Sequence, residues 1–168
     1  MATLDSLTNL LNRRAWEHQA SLSLQRSNRE HSTFSVVTGD IDLFKHINDN
    51  FGHPTGDTVI KSVADCLKQQ LRNYDLLGRL GGEEFVIALP NIEKNKLNAL
   101  CERMRSAIEG LVIYSDTGEL VSISISIGVT FSQEYSTDLY LLMKQSDIAL
   151  YKAKNSGRNR VELYTPAT

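Results

Sequence analysis

Two pairs of acidic residues stand where segments with the character of buried strands end or begin. Asp40 and Asp42 close the segment FSVVTGDID, and Glu83 and Glu84 follow two glycines in RLGGEEFVIALP. In proteins, Mg²⁺ binds one or two carboxylates together with substrate phosphates and water. Two such ions about 3.5–4 Å apart stabilise both the attacking and the leaving oxygen of a phosphoryl transfer. Any one of these acids alone would be interpreted as a solvated loop charge, but the pairs beside glycines predict a metal site.

The polar segment between the two pairs, FKHINDNFGHPTGD, covers residues 44–57. An Asn side chain offers a donor and an acceptor together, and a carboxylate accepts from both N–H groups of guanine's Watson–Crick edge. Asn48 and Asp57 could therefore read a base. The alternative is a polar loop of turn residues that ends in Asp57 as the N-cap of the next helix. The residues by themselves favour this loop.

A basic segment, YKAKNSGRNRV, lies near the C-terminus and places four cations around Gly157: Lys152, Lys154, Arg158 and Arg160. Cations at a helix end complement the helix dipole. They could equally reach the terminal phosphates of a nucleotide. The sequence contains no GxxxxGK[ST], GxGxxG or GxSxG motif. Interpretations as a P-loop protein, a dinucleotide-binding protein or a serine hydrolase therefore lose their usual support.

Hydrophobic periodicity predicts the elements that must position these groups. Helical spacing predicts helices over about residues 6–29, 57–73 and 139–153, with another marked by apolar residues between 97 and 108. Short apolar runs predict strands at residues 34–40, 76–80 and 85–89, and in the closing RVELY. The alternation in VSISISIGVTF, residues 121–131, predicts a strand with one face in the core.

A tight hairpin is predicted where Gly81 and Gly82 join two of these strands, because a type I′ turn requires positive φ at both central residues. The order of elements then fits an α/β (α+β) sandwich on a βαββαβ core. Its mixed sheet has antiparallel pairing at the central hairpin and helices flanking it. Hairpin tip and strand end can meet at one edge of this sheet, which would bring the two acidic pairs together.

The bulk composition restricts the class of protein. The chain has 168 residues, 41% of them hydrophobic, and a formal net charge of −2. This predicts one domain over residues 1–168, with no overall field for nucleic-acid polymers or anionic membranes. Cys66 and Cys101 are expected to be buried free thiols. No apolar run approaches the about 20 residues that span a bilayer, and no signal peptide is visible, so we expect a cytoplasmic domain.

Five motifs resemble those of the GGDEF family, the diguanylate cyclases: DSLTNLLNRRAW, DIDLFKHINDNFGHPTGD, RLGGEEF, SISIGV and SDIALYKAKNSGRN. They occur in the family's order and spacing and cover residues 5–161. The resemblance implies a fold similar to class III nucleotidyl cyclases and polymerase palm domains. It implies an enzyme that joins two GTP molecules into cyclic di-GMP and releases pyrophosphate. It also implies Mg²⁺ or Mn²⁺ (two ions per active site), a homodimer for catalysis, and an upstream sensor domain in a longer signalling protein.

The resemblance also implies a role for individual residues. The catalytic acids would be Asp40, Glu83 and Glu84, with the metal held by Asp40, Glu83 and the backbone carbonyl of Ile41. Glu83 would also accept the proton of the 3′-hydroxyl. Guanine would be read by Asn48 and Asp57, with His53 lining the site. Phosphates would be held by backbone amides at Leu43 and Phe44 and by the side chains of Lys45, Lys154 and Arg158. Gly81 and Gly82 would let the α-phosphate and ribose lie against the turn.

A second site is implied by RNYD, which matches the family's RxxD inhibitory motif. Arg72 and Asp75 would bind the product there, whereas composition alone indicates a helix-terminal cation and a turn residue. The chain departs from the family pattern at four positions: Asn9 and Ser146 replace the usual Gly and Ala, Gly39 an apolar strand residue, and Glu83 an Asp. Two alternatives stay open: a catalytically inactive c-di-GMP receptor, and an enzyme for another purine cyclic dinucleotide. Asp57 argues against the second alternative.

Overall fold

The computed structural model describes residues 2–166 and contains a six-stranded mixed sheet with helices on both faces. Its strands are β1 (Leu11–Asn12), β2 (Phe34–Ile41), β3 (Leu76–Gly81), β4 (Glu84–Pro90), β5 (Ile113–Tyr114), β6 (Leu120–Val121), β7 (Ile125–Ser132) and β8 (Val161–Leu163). Its helices are α1 (Arg13–Glu30), α2 (Phe44–Phe51), α3 (His53–Gln70), α4 (Lys94–Glu109) and α5 (Leu139–Asn155). None of the helices within residues 2–166 combines the length and apolar content needed to cross a membrane.

The sheet has the strand order β1-β3-β4-β2-β7-β8, while β5 and β6 form a separate two-stranded hairpin. Strand β2 lies inside the sheet and is antiparallel to both of its neighbours, β4 and β7. In this register Asp40 is opposite Glu84 on one side and Ser126 on the other. The predicted βαββαβ core is confirmed, with β3 and β4 as the antiparallel hairpin. The register therefore brings the two acidic pairs to one edge of the sheet.

Alternate residues of the inner strands bury into two different cores. One core packs α3 and α4 against side chains such as Val37, Phe85 and Ile87. The other core packs α1 and α5 against Val36 and Val86, which directly neighbour those side chains in sequence. Because helices cover both faces, the inner strands are buried on both sides. Cys66 and Cys101, predicted to be buried free thiols, are both free and buried.

Helix α5 packs unusually close to the sheet. A Cβ on Gly128 of β7 would overlap the backbone of Ser146 and Leu150, so only glycine permits this approach. The Thr38 hydroxyl of β2 donates to the Ser146 hydroxyl at 2.7 Å, because the Ser146 hydroxyl itself donates to the Met143 carbonyl. These contacts fix α5 over β2 and β7, with its C-terminal turn near the end of β2.

Three sequence predictions about local structure are wrong in detail. The first helix begins at Arg13 rather than near residue 6, because the Asn12 side chain caps it by accepting from the Ala15 N–H at 2.9 Å. Residues 44–57 are not a loop but α2 followed by α3, separated by Gly52 with a φ of 89°. Asp57 is consequently not an N-cap and lies on the exposed side of α3.

The hairpin and the alternating strand also differ from expectation. Gly81 pairs with Glu84, so the two turn residues are Gly82 and Glu83, and the register shifts after Arg79. Only the first turn residue has positive φ (53°), which is the φ pattern of a type II′ turn rather than type I′. The alternating segment is not one strand: Val121 belongs to β6, and the long strand begins only at Ile125. That strand, β7, is buried on both faces because helices cover both, so Ser126 faces protein, whereas Ser122 is exposed.

Candidate active site

The Asp40 carboxylate lies at the centre of the predicted metal site. Asp40 is 6% exposed and lies near the end of β2. The Lys154 ammonium donates to the Asp40 Oδ2 at 2.7 Å. Burial raises the pKa of Asp40 to about 6, although the bond to Lys154 opposes this rise and the neighbouring charges of Glu83 and Glu84 add to it. The fold therefore gathers negative charge here and compensates it with one lysine.

The glycine turn lies directly beside this carboxylate. The Ile41 N–H donates to the Glu83 carbonyl at 3.3 Å, which ties the end of β2 to the turn. The Arg79 guanidinium donates to the Gly82 carbonyl at 2.9 Å and fixes the turn from the other side. A Cβ on Gly81 or Gly82 would meet nothing within 4 Å, so the turn is open to solvent. A ligand can approach its backbone closely.

The donors at this edge fit a hard divalent cation. Asp40 and Glu83 could offer carboxylates, and Ile41 could offer a carbonyl at the end of β2. In residues 2–166 no group of three or more His, Cys, Asp or Glu side chains could hold a metal by itself. An oxygen set of two carboxylates and a carbonyl leaves positions for phosphate and water, as Mg²⁺ sites do. Burial raises the pKa of Asp40 and the nearby charges of Glu83 and Glu84 add to this rise, so the negative charge here is only partly compensated by Lys154.

The side chains predicted to read guanine lie on α2 and α3. The Asn48 Oδ1 is buried and has no hydrogen-bond partner among the described residues. A Cβ on Gly56 would overlap this oxygen, so a glycine is required where α3 passes Asn48. His53 and Asp57 are both exposed on α3. A buried carbonyl oxygen without a donor is rare in folded proteins, and among the described residues the Ser35 hydroxyl is also buried without a partner.

The residues predicted to hold phosphates lie in two segments. Leu43, which precedes α2, has a left-handed φ of 52°, and the unpaired N–H groups of the first turn of α2 follow it. Lys45 is exposed on α2 and Arg158 is exposed in the segment after α5. The structure places Lys154 against Asp40. The two segments thus present backbone N–H groups and cationic side chains.

Asp42 has a role that the sequence did not reveal. Its carboxylate accepts from the hydroxyls of Ser126 and Ser124 at 2.5 and 2.6 Å, and from the Asn159 N–H at 3.0 Å. With these three donors it is buried and structural, unlike Asp40. The signal was present in the serines that recur at every second position before and within β7.

The comparisons with known proteins identify the family. The family model described as diguanylate cyclase, GGDEF domain, matches residues 2–160. This chain belongs to the GGDEF family. The probable diguanylate cyclase DgcT of Escherichia coli is 38% identical over 164 residues, which cover 96% of this chain and 35% of that protein. The chain thus spans about a third of the length of this relative.

Solved GGDEF structures share the whole fold. The GGDEF domain of DgcB from Caulobacter crescentus in complex with c-di-GMP has a TM-score of 0.94 and 31% identity, covering 99% of this chain and 95% of that one. The active GGEEF domain of a diguanylate cyclase from Vibrio cholerae has a TM-score of 0.86 and 34% identity, covering 94% and 99%. Its GGEEF signature is the variant present here.

The RxxD residues of this GGDEF domain lie at the far end of β4 from the active site. The Arg72 guanidinium donates to both carboxylate oxygens of Asp75 and to the carbonyls of Pro90 and Asn91. Burial by itself lowers the pKa of Arg72, but the bonds to Asp75 outweigh it and raise that pKa. A cavity of about 350 Å³ is lined by Arg72 and Asp75 among others. The motif thus forms an ordered ion pair remote from Asp40.

Proposed function

We propose that this chain is an active diguanylate cyclase that condenses two GTP molecules into cyclic di-GMP and releases pyrophosphate. The observation that carries the proposal is the buried Asp40 carboxylate against the open Gly82–Glu83 turn, with a pKa raised to about 6. The unpartnered oxygen of Asn48 supports a nucleobase nearby. The family membership of the chain supports the same chemistry.

Asp40, Glu83 and the Ile41 carbonyl would hold Mg²⁺ or Mn²⁺, two ions per active site. Bound divalent ions supply charge neutralisation at the attacking and leaving oxygens of phosphoryl transfer. With its pKa near 6, Asp40 is ionised at neutral pH and available as a ligand. Glu84, opposite Asp40 in the register, adds negative charge to the same edge.

The nucleotide would lie between the turn and the start of α2. Asn48 and Asp57 would bind the guanine edge, and His53 would line the site. The phosphates would be bound by the backbone amides of Leu43 and Phe44 and by Lys45, Lys154 and Arg158. Gly81 and Gly82, which leave open space, would let the ribose and α-phosphate lie against the backbone.

In the reaction, Glu83 would accept the proton of the 3′-hydroxyl of one GTP. The resulting oxygen attacks the α-phosphorus of the second GTP, the bond from this phosphorus to the bridging oxygen of the β-phosphate breaks, and pyrophosphate leaves. A second, equivalent attack closes the ring. One domain would bind one GTP, so two copies must face each other as a homodimer, at least transiently.

Incubation of the purified chain with GTP and Mg²⁺, followed by chromatography for c-di-GMP and pyrophosphate, tests the proposal directly. Glu83→Gln should abolish turnover while leaving the circular dichroism spectrum intact, whereas Glu134→Gln, an exposed glutamate after β7, should turn over normally. Full activity of Glu83→Gln would remove this residue from the mechanism. Specific activity should rise with protein concentration, and a flat dependence would contradict catalysis limited by dimer assembly.

A second candidate function is a c-di-GMP receptor that uses Arg72 and Asp75. The ordered Arg72 guanidinium at the remote end of β4 favours it as an additional property. The receptor becomes the better description if the wild-type chain binds c-di-GMP and makes none at any protein concentration.

A further inference from the structure

The buried carboxylate of Asp42 joins segments that are distant in sequence. Its Oδ1 binds Ser126 of β7, and its Oδ2 binds Ser124 and the backbone N–H of Asn159, in the loop of residues 157–160 between α5 and β8. The Asp42 N–H also donates to the Ser124 carbonyl at 2.9 Å. Asp42 therefore connects the start of α2 to that loop through β7.

The loop of residues 157–160 has a backbone that needs external support. Gly157, Arg158 and Asn159 have φ values of 119°, 62° and 45°, so three consecutive residues lie at positive φ. This conformation is unfavourable for a side chain such as that of arginine. It persists only where surrounding contacts determine it, and such places are often functional.

The Asn159 side chain supplies a second set of contacts to the same loop. Its Oδ1 accepts from Arg105 of α4 at 2.8 Å, and its Nδ2 donates to Glu109 of α4. Arg105 is itself held by Glu102 at 2.6 Å. Asn159 is thus bound on its backbone by Asp42 and on its side chain by α4. The residue directly before it, Arg158, is exposed and makes no comparable side-chain contact among the described residues.

We infer that Asp42 and Asn159, which we call the loop clasp, position the phosphate-binding side of the active site. The clasp holds Arg158 at a fixed place relative to the N–H groups at the start of α2, so that both face the β- and γ-phosphates of one nucleotide. Asp42 touches no substrate in this account and acts only through the loop, as a positioning residue. The inference rests on the proposed function for the identity of the nucleotide.

Asp42→Asn is the direct test, because it keeps the shape of the side chain but replaces one acceptor oxygen with an NH₂ donor. The amide has no negative charge to strengthen the bonds from Ser124, Ser126 and the Asn159 N–H, and its NH₂ cannot accept from any of them. The affinity for GTP, measured calorimetrically with Ca²⁺ in place of Mg²⁺, should fall at least tenfold, while the affinity for GMP should not change. GMP has no β- and γ-phosphates and so gains nothing from the clasp. In turnover assays KM should rise and kcat should stay the same.

Trypsin provides a readout that needs no nucleotide. In the wild-type chain the clasp should protect the Arg158–Asn159 bond, and in Asp42→Asn this bond should be cut several-fold faster. Ser126→Ala is the matched control, since it removes one hydrogen bond from the same carboxylate but leaves the bond to Asn159. It should keep the wild-type ratio of GTP to GMP affinity and the wild-type cleavage rate.

Asn159→Ala reaches the same loop from the other side, should Asp42→Asn fail to fold. It removes the contacts to Arg105 and Glu109 and should again weaken GTP selectively over GMP. Equal losses for GTP and GMP, or unchanged cleavage after Arg158, would overturn the inference. If the wild-type chain makes no c-di-GMP but Asp42→Asn still exposes the Arg158–Asn159 bond, the proposed function fails and the clasp stands.

Discussion

Replacing Asp40 by Asn should stabilise this domain at neutral and alkaline pH. Because the pKa of Asp40 is raised from 3.8 to about 6, the folded chain holds this proton more tightly than the unfolded chain. Between these two values the unfolded state binds fewer protons, so the free energy of unfolding falls as pH rises. The full penalty applies above about pH 6, and none applies below about pH 4.

The size of the effect follows from the shift. A rise of about two pH units corresponds to about 3 kcal/mol at about 1.4 kcal/mol per unit. The shift to about 6 already includes the opposing effect of Lys154, and Lys154 can still donate to the Asn oxygen, so the lost ion pair is not subtracted again. Asp40→Asn should therefore raise the free energy of unfolding by about 3 kcal/mol at pH 8 and by little near pH 4.

Urea unfolding in EDTA at both pH values measures this change, with the fluorescence of the single tryptophan, the fully buried Trp16, as the signal. Asp65→Asn, an exposed carboxylate on α3, is the control and should stay within about 0.5 kcal/mol of wild type at both values. Added Mg²⁺ should raise the urea midpoint of wild type and not of Asp40→Asn. The assignment of Asp40 as an incompletely compensated buried charge would be refuted by an Asp40→Asn variant that is less stable than wild type at pH 8. It would also be refuted if the free energy of unfolding of this variant kept the wild-type pH dependence.

Three further substitutions test other parts of the domain. Gly56→Ala should weaken GTP binding by calorimetry at least tenfold, because the new methyl displaces Asn48; unchanged affinity would remove Asn48 from base recognition. Gly39→Ala should raise the free energy of unfolding by about 0.5–1 kcal/mol, because alanine reduces the conformational freedom of the unfolded chain and its Cβ would lie 3.0 Å from only the terminal methyl of a flexible side chain, Ile125 Cδ1; a loss of stability in urea would contradict this. Arg72→Ala should raise the c-di-GMP concentration that halves the initial rate at least tenfold, and unchanged inhibition would exclude Arg72 from a product site.

Much of the sheet was predictable because its signals are local. The apolar face of α3 and the short runs on either side of the two glycines predict the βαββ unit directly. Helix α2 and the start of α3 were missed because residues 44–57 are rich in Asn, Asp and Gly, which favour turns. Helix α2 forms there because Phe44, Ile47 and Phe51 recur at helical spacing and pack into the core. Tertiary burial therefore overrides local preference in this segment.

The chemistry of the site was less evident from the sequence than its position. The spacing of strand and hairpin predicted that Asp40 and Glu83 would meet, and the register brings the two segments together. The sequence did not distinguish the role of Asp40 from that of Asp42, since both appear as acids at the end of a strand. The difference lies in their partners: Asp42 has three neutral donors, whereas Asp40 has one lysine and two acidic neighbours. Partners contributed by β7 and the loop after α5 are more than 80 residues away in sequence.

The features that make this edge of the sheet costly to fold are the ones that a ligand would relieve. Asp40 is a buried charge that burial disfavours, Asn48 has a buried oxygen without a donor, and Gly81 and Gly82 leave open space beside the turn. A cation would compensate the first, a base N–H would satisfy the second, and a phosphate or ribose would occupy the third. One nucleotide with its metal ions would engage all three features, and binding would then recover free energy that the burial of Asp40 and Asn48 costs on folding.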